Sequence, residues 1–413
     1  MREPTVAVVG AGAAGIIAAW RAASLGAKVV LLEKTPRIGT KIMISGGGKC
    51  NLTHDGSLED ILRAFRKNEA QFLRPSFYRF PPASFLKIVF SRGLEVYTRP
   101  DGRIFPVHQT AKDVVRILTD VIEEAGVEVR LDCRVMGLLI EAGRVIGVET
   151  EFGPLKADKV IVAAGGSSYP NSGTTGDAWA WLRTLGHKVT PLRAALAPIY
   201  LHDKAYSGLA LRDVFLRGRS AGKEIARWRG DLLFTHQGIS GPCALGVSRE
   251  VAEAMEKGPV AFVVDGWPDE TFESLREELI AEAKSSPHRL VRTHLEAKAP
   301  ERYAERILDQ AEIGTGTKLG TLGKKQRNQV VEFMKGLPLG EARAVPLEKG
   351  EVVAGGVELS EVDPKTMESR VVSSLFLCGE VLDIAGPVGG YNLQAAWSTG
   401  FVAGDTAATK SVK

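Results

Sequence analysis

Residues 10 to 15 read Gly-Ala-Gly-Ala-Ala-Gly, and an acid, Glu33, stands 18 residues past the last of these glycines. In a G-x-G-x-x-G pattern the first glycine allows a tight turn. The second lets the main chain come close to a pyrophosphate, and the third lets a helix pack against the strand before it. A carboxylate at about that distance is placed to meet ribose hydroxyls. The chemistry these residues suit is the holding of a dinucleotide, its phosphates at a helix N-terminus where free N–H groups and the positive dipole end attract anions. An acid at position 33 favours the free ribose diol of FAD or NAD over the 2′-phosphate of NADP.

The elements that must position these groups occur in the required order. Residues 5–9 (T-V-A-V-V) form a β-branched run, as expected of a parallel strand buried on both faces. An alanine-rich helix is predicted over 13–25 with Gly26 as its stop, and a second strand, K-V-V-L-L at 28–32, delivers Glu33. Further segments look built to line a ligand. Residues 39–51 (G-T-K-I-M-I-S-G-G-G-K-C-N) read as a loop whose backbone could cradle a group. A buried strand at 160–164 ends at Gly165-Gly166, and another at 375–378 ends at Gly379-Glu380. After the latter come Asp383, Gly386, Gly389 and Gly390, and then Tyr391 opens a helix. Ligands of doubly wound sheets lie outside the carboxyl ends of the strands, so the ends near 10, 165 and 379 are expected to converge on one long ligand. FAD is long enough to use all three, and the last helix would aim its N-terminus at the flavin, where it favours the negative charge of the reduced ring.

Composition narrows the classes. The 413 residues carry 53 basic and 49 acidic side chains, a net +4 that is dispersed along the chain. A small-molecule substrate is therefore expected and no nucleic acid. Four scattered cysteines with no C-x-x-C argue against a disulfide framework or a metal site and fit a reducing, cytoplasmic setting. A disulfide reductase is set aside, because the next cysteine after Cys50 is Cys133. No signal peptide and no membrane span are expected. Residues 191–267 read as β-rich, and 268–340 as helical, with helices predicted over 272–284, 289–298, 303–311 and 325–335. The expected organisation is a cofactor domain in two parts, 1–190 and 341–413, around an insert at 191–340.

Assembled, these segments resemble the bacterial BaiN-like and aminoacetone-oxidase-type FAD-dependent oxidoreductase family along the whole chain. The resemblance rests on K-I-M-I-S-G-G-G-K-C-N-L-T (41–53), G-R-I-F-P (102–106), Y-P-N-S-G-T-T-G-D (169–177) and F-T-H-Q-G-I-S-G-P (234–242). It rests too on G-G-V-E-L-S-E-V-D-P-K-T-M-E-S-R (355–370) and G-E-V-L-D-I-A-G-P-V-G-G-Y-N-L-Q-A-A-W-S-T-G (379–400). Lys49 and Ala395 stand where that family commonly has Arg and Trp. The resemblance implies an α/β fold: a glutathione-reductase-like, Rossmann-type FAD domain with an inserted β-barrel and helical domain. It implies FAD contacts from Gly10, Ala11, Gly12, Ala13, Ala14 and Gly15, then Glu33, Lys34, Lys41 and Asn51. Val135, through its backbone, Ala164, Gly165, Gly166, Gly379, Glu380, Asp383, Gly390, Asn392 and Leu393 complete the implied set.

Two reactions suit such a protein. One is NAD(P)H-linked reduction of a small enone-like acceptor; the other is oxygen-using oxidation of a small amine such as aminoacetone. An FAD-bearing RNA-modifying or scaffolding protein is the third reading, disfavoured by the even charge. No second G-x-G-x-x-G occurs, and Gly314-Thr-Gly316 reads as a loop, so NAD(P)H is expected to bind only transiently over the flavin. His236 and Tyr391 are the candidate proton donors. His54, His108 and His187 read as surface or loop residues.

Overall fold

Four consecutive residues, Val6 to Val9, are almost wholly buried, as a strand in the middle of a parallel sheet must be. Thr5–Val9 pairs in parallel with Lys28–Leu32 on one side and Lys159–Val162 on the other. Glu128–Arg130 and Leu375–Leu377 complete a five-stranded parallel sheet at its two edges. The computed structural model describes residues 3–203 and 206–409. The chain divides into two compact units, Met1–Leu192 with Val352–Lys413, and Arg193–Glu351.

In the first unit, helix Ala13–Ser24 follows the first strand. It ends as its sequence suggests: Gly26 is left-handed (φ +88), its N–H reaches Ala23 O, and the Ala27 N–H reaches Ala22 O. That is a Schellman stop. The last helix, Tyr391–Ala407, lies directly against this first one. A Cβ at Gly400 would come 2.3 Å from Ala14 O, and one at Gly404 2.2 Å from Ala18 O, so backbone touches backbone along the seam. Two small antiparallel sheets complete the unit. One joins Thr53–His54, Arg103–Pro106 and Val96–Thr98; the other joins Val135–Glu141, Arg144–Thr150 and Gly153–Lys156.

The second unit is a closed six-stranded barrel with helices. Its long hairpin, Ala210–Ser220 with Lys223–Phe234, turns at Ala221-Gly222, both left-handed (φ +47 and +76), which matches the twist of the flanking strands. The four predicted helices appear as Phe272–Ser285, Val291–Glu296, Glu301–Gln310 and Lys324–Gly336. Two features depart from the sequence expectation. The β-rich stretch contains a helix, Pro242–Met255, and the helical stretch ends in a strand, Leu337–Ala344, which closes the barrel between Ile199–Leu201 and Ala261–Asp265. Together the units make the α/β Rossmann fold with a barrel and a helical part that the family resemblance implies. No helix among the described residues is long and apolar enough to cross a membrane.

Candidate functional site

The glycine loop has the geometry its sequence suggests. Gly10 sits at φ +98, and a Cβ there would lie 2.7 Å from Ala163 O; a Cβ at Gly15 would lie 1.8 Å from Gly10 O. Both glycines are therefore demanded by close backbone packing. Gly12 differs. It is extended (φ −87, ψ −168), a Cβ there would meet nothing within 4 Å, and it caps the helix with no side-chain hydrogen bond. An open crest over an uncapped helix N-terminus is a cradle with room for a pyrophosphate. Glu33 leaves the end of its strand and turns back: Oε2 accepts from the Ala11 N–H (2.9 Å) and Oε1 from the Thr35 N–H (2.9 Å). Its carboxylate is thus held in place at the loop where a ribose would lie. The Cys133 N–H donates to Glu33 O (2.9 Å), which brings the start of Val135–Glu141 to the same strand end.

The other strand ends meet this loop. A Cβ on Gly379 would lie 2.8 Å from the Ala14 Cβ, one on Gly10 3.0 Å from Ala164 Cα, and one on Gly166 2.9 Å from Glu380 Oε1. Gly10, Ala164–Gly166 and Gly379–Glu380 are therefore one locus. Around it the charged candidates bind each other. Lys41 Nζ donates to Glu380 Oε2 (2.6 Å) and to Ser168 Oγ (2.9 Å), and Glu380 Oε1 accepts from the Val353 N–H (2.9 Å). Lys34 donates to Asp177 (2.8 Å). Asp383 accepts from the Gly355 N–H (3.0 Å) and from Thr190 Oγ1 (2.9 Å). The structure gives all of these residues a framework role, whatever else they touch.

The 39–51 segment is more ordered than a loop. Thr40–Gly48 starts as helix, then Ser45 turns extended and Gly46, Gly47 and Gly48 are all left-handed. Asn51, buried just beyond, accepts from the Gly390 N–H (2.9 Å) and donates to Thr53 O (3.1 Å) when its amide is oriented to satisfy both ends. Asn392 ties back to the main chain of Gly386, Oδ1 accepting its N–H (2.8 Å) and Nδ2 donating to its carbonyl (2.9 Å). The glycine turn and the N-terminus of the last helix, with Gly390, Asn392 and Leu393, are thereby joined. That helix has Gly390 as its N-cap and no capping side chain, so its first N–H groups are presented as at Gly12.

Among the titratable candidates, Tyr391 opens this last helix, half-buried. Burial first, and then the Asp101 carboxylate, push its phenol above the usual range. His54 does not fit its reading as a surface or loop residue. It ends the short strand Thr53–His54, its ring stacks on Tyr391 at 4.5 Å, and Nδ1 lies 2.9 Å from Gly389 O. A two-residue strand gives no periodicity from which to read this. His187 is likewise buried, between Glu361 Oε2 and Ser369 Oγ, each 2.9 Å from a ring nitrogen. Ser369 Oγ also accepts two backbone N–H groups, from Val371 and Val372, which marks the trio as a structural tie. His108 is exposed. His236 lies exposed in the turn between Lys223–Phe234 and Gly238–Ser240, in the barrel unit.

Cys50 is fully buried, and burial pushes its thiol up to about 12, against a smaller opposing effect of Ser45. A thiol so placed is a poor nucleophile. All four cysteines are free and buried. Native protein is therefore expected to react with a disulfide titrant at less than one thiol rapidly, and at all four after denaturation. Cys50→Ala should keep bound flavin and turnover; loss of turnover with flavin retained would bring the thiol back into the chemistry.

Over residues 4–406 the sequence matches the family described as HI0933-like protein Rossmann domain. It is 30% identical over 411 residues to the 3-dehydro-bile acid delta(4,6)-reductase of Clostridium scindens, covering 98% of this chain and 99% of that one. It is 29% identical over 408 residues to the ribosomal RNA dihydrouridine synthase of Escherichia coli, with 98% of each chain covered. The protein of the same name from Haemophilus influenzae is 30% identical over 407 residues, 95% of this chain and 96% of that one. Among solved structures, the 3-ketosteroid delta1-dehydrogenase of Sterolibacterium denitrificans aligns with a TM-score of 0.55 at 15% identity, over 98% of this chain and 99% of that one. At that identity the likeness is one of fold. With the sequence matched almost end to end, the chain belongs to the HI0933-like family of FAD-dependent, Rossmann-fold oxidoreductases.

Proposed function

We propose that this oxidoreductase reduces a carbon–carbon double bond conjugated with a carbonyl, using electrons from NAD(P)H. The observation that carries the reading is the phenol of Tyr391 at the N-terminus of the last helix, beside Asn51 and the glycine turn. A phenol is protonated at neutral pH, and burial with the Asp101 carboxylate pushes this one still further from ionising, so it is available to donate a proton. The two names found among full-length relatives support it. A 3-dehydro delta(4,6) bile acid and the uracil ring of a uridine share one functional group, an alkene in conjugation with C=O.

In this reading Gly10–Gly15 hold the FAD pyrophosphate, and Glu33 and the Val135 backbone hold the adenosine end. Ala164–Gly166, Lys34, Lys41, Glu380 and Asp383 line the middle of the cofactor. Asn51, Gly390, Asn392 and Leu393 hold the flavin. FAD, when bound by these residues, would supply two-electron hydride chemistry between NAD(P)H and the β-carbon of the acceptor. The protein's part is to orient the acceptor and to give its α-carbon a proton from Tyr391 Oη, which water then replaces. His236 is the alternative donor. Residues 191–340 are taken as a separate insert domain, and the cytoplasm as the setting.

Anaerobic stopped-flow mixing with NADH and NADPH tests the donor side. One of the two is expected to bleach the visible flavin band within the turnover time, and a conjugated enone to restore it. Negligible bleaching by either, together with peroxide released from an amine such as aminoacetone, would replace this reading with the oxidase.

A further inference from the structure

Tyr391 is the first residue of its helix, and a side chain there leans back past the helix end, where no earlier turn can support it. Its direction must be set from outside the helix. The strand Thr53–His54 lies against this first turn: Thr53 Oγ1 donates to the buried Gln394 Oε1 (2.7 Å), and a Cβ on Gly390 would come 2.6 Å from Thr53 O. The pairing of His54 with Arg103, and the Asp55 N–H donating to Gly102 O (2.8 Å), fix the strand in turn. His54 therefore reaches Tyr391 from a strand fastened to the same helix turn.

The phenol ring is enclosed on several sides. The His54 ring covers one face, with centres 4.5 Å apart and planes tilted by 22°. Phe65, buried and itself packed edgewise with Phe77, meets the ring at 88° with centres 6.0 Å apart. Backbone closes on it too. A Cβ on Gly389 would lie 2.4 Å from Tyr391 Cε2, and one on Gly386 3.0 Å from Tyr391 Cβ and 2.7 Å from Phe65 Cε1. His54 has as little freedom. Its Nδ1 lies 2.9 Å from Gly389 O, which can only accept, so Nδ1 carries the proton toward it. Gly102, left-handed (φ +80), passes so near the ring that a Cβ there would sit 2.4 Å from His54 Nε2. Both nitrogens lie in the plane of a ring that is stacked on the phenol, so neither is aimed at its hydroxyl. What His54 gives Tyr391 is direction.

We propose that His54 is the positioning residue of the acceptor half-reaction, its stacked and hydrogen-bonded ring holding the Tyr391 phenol where it meets the α-carbon of the acceptor. The inference rests on the reductase reading above and adds to it a group that acts only through Tyr391. A stacked pair resists tilting of either ring, because offset faces gain contact and electrostatic fit that a tilted pair loses. Proton delivery to carbon demands such control, since a donor displaced by about 1 Å can lose about 100-fold in rate. The same cover keeps water from one face of the phenol, part of the burial that raises it above the usual range. The Asp101 carboxylate adds to that rise, and is itself paired with Arg103 Nη2 at 2.6 Å. A ringless side chain of similar size at position 54 would fill the space without fixing the plane of the phenol.

The test compares ringless and ringed replacements in the FAD-loaded protein. His54→Leu and His54→Gln lose the ring, whereas His54→Phe keeps it and loses only the Nδ1 hydrogen bond. Flavin reduced with dithionite feeds the acceptor half-reaction directly, so oxidation by cyclohexenone is followed without any nicotinamide. In the Leu and Gln variants this step is expected to slow about 100-fold, while bleaching by NAD(P)H keeps its wild-type rate. His54→Phe should return to within about 10-fold of wild type, the remainder being the lost hydrogen bond. A second readout needs no acceptor: ultraviolet difference titration of the phenol, each protein measured against the same protein carrying Tyr391→Phe. Uncovering one face lets water solvate the phenolate, so ionisation should begin at lower pH in the ringless variants and return toward wild type in His54→Phe. An acceptor step and a titration unchanged in both ringless variants overturn the inference. So does a loss in His54→Phe as deep as in His54→Leu, and so does flavin missing from both ringless variants, which would make the histidine a support of the cofactor domain alone. If wild type leaves cyclohexenone unreduced, the titration decides: an unmoved phenol overturns the inference and a shift to lower pH supports it. Tyr391→Phe separates the two failures. Full acceptor reduction in that variant sinks the reading of Tyr391 as donor, and His54 with it. Its loss there, with reduction intact in the ringless variants, sinks His54 alone and leaves the reductase reading standing.

Discussion

Gly12→Val is expected to yield a folded protein that carries no FAD. The residue is already in an extended conformation that valine prefers, and a Cβ there meets no protein atom within 4 Å. Valine is a poorer N-cap than glycine, so the apoprotein should lose no more than about 1 kcal/mol relative to the wild-type apoprotein. The branched side chain would fill the space above the uncapped first turn and keep a phosphate from the N–H groups. Its overlap with a bound pyrophosphate should cost about 3 kcal/mol or more, a loss in FAD affinity beyond about 100-fold. Gly15→Ala makes the contrast, because its Cβ would fall 1.8 Å from Gly10 O and push strand and helix apart. That variant should lose stability and FAD together, by about 1–3 kcal/mol in the apoprotein. Thermal melts of the two apoproteins and titration of each with FAD separate the cases. A Gly12→Val protein that purifies with wild-type flavin content would move the cofactor away from this loop.

That two neighbouring glycines act so differently was only partly legible in the sequence. The order strand, glycine loop, alanine-rich helix, glycine stop, strand and acid could be read because each step is local. β-branched residues fill Thr5–Val9, Gly26 supplies the left-handed stop, and Glu33 follows the second strand directly. The amphipathic helices of the barrel unit were legible for the same reason. What escaped was non-local. Strand Leu337–Ala344 carries Pro338 and a left-handed Gly340, and is specified by the distant partner Ala261–Asp265 more than by its own composition. Helix Pro242–Met255 did announce itself, with a glycine N-cap and proline at its first position, but apolar runs on either side obscured the change of period. Within the site, the glycine run was visible and its coupling to the last helix through Asn51 was not. His54 belongs with Tyr391 only because a two-residue strand and a helix far along the chain meet at Gly389. The segment with Glu380 and Asp383 follows a buried strand and reads as lining a ligand, and the family resemblance implies that both residues contact it. The structure adds what that pattern could not show, that both bind the neighbouring main chain.

Tyr391→Phe should lower acceptor reduction by about 100- to 10,000-fold, the range expected for loss of a positioned proton donor, while the rate of flavin bleaching by NAD(P)H stays as in wild type. Phenylalanine keeps the ring that stacks on His54 and meets Phe65 edge-on at 6.0 Å, so the packing is preserved and only the hydroxyl is lost. The pH dependence gives an independent sign. A donor must be protonated to act, and burial and Asp101 hold the phenol protonated beyond the usual tyrosine range. The acceptor half-reaction of the wild type should then be flat through neutral pH and fall only in alkali, above about 10. In Tyr391→Phe that alkaline fall should vanish along with most of the rate. A profile that falls near pH 6 to 7 instead would point to a histidine. His236→Gln, which changes an exposed turn of the barrel unit, then decides which group is responsible: unchanged turnover in that variant leaves the proton with Tyr391, and a loss confined to the acceptor step transfers it to His236.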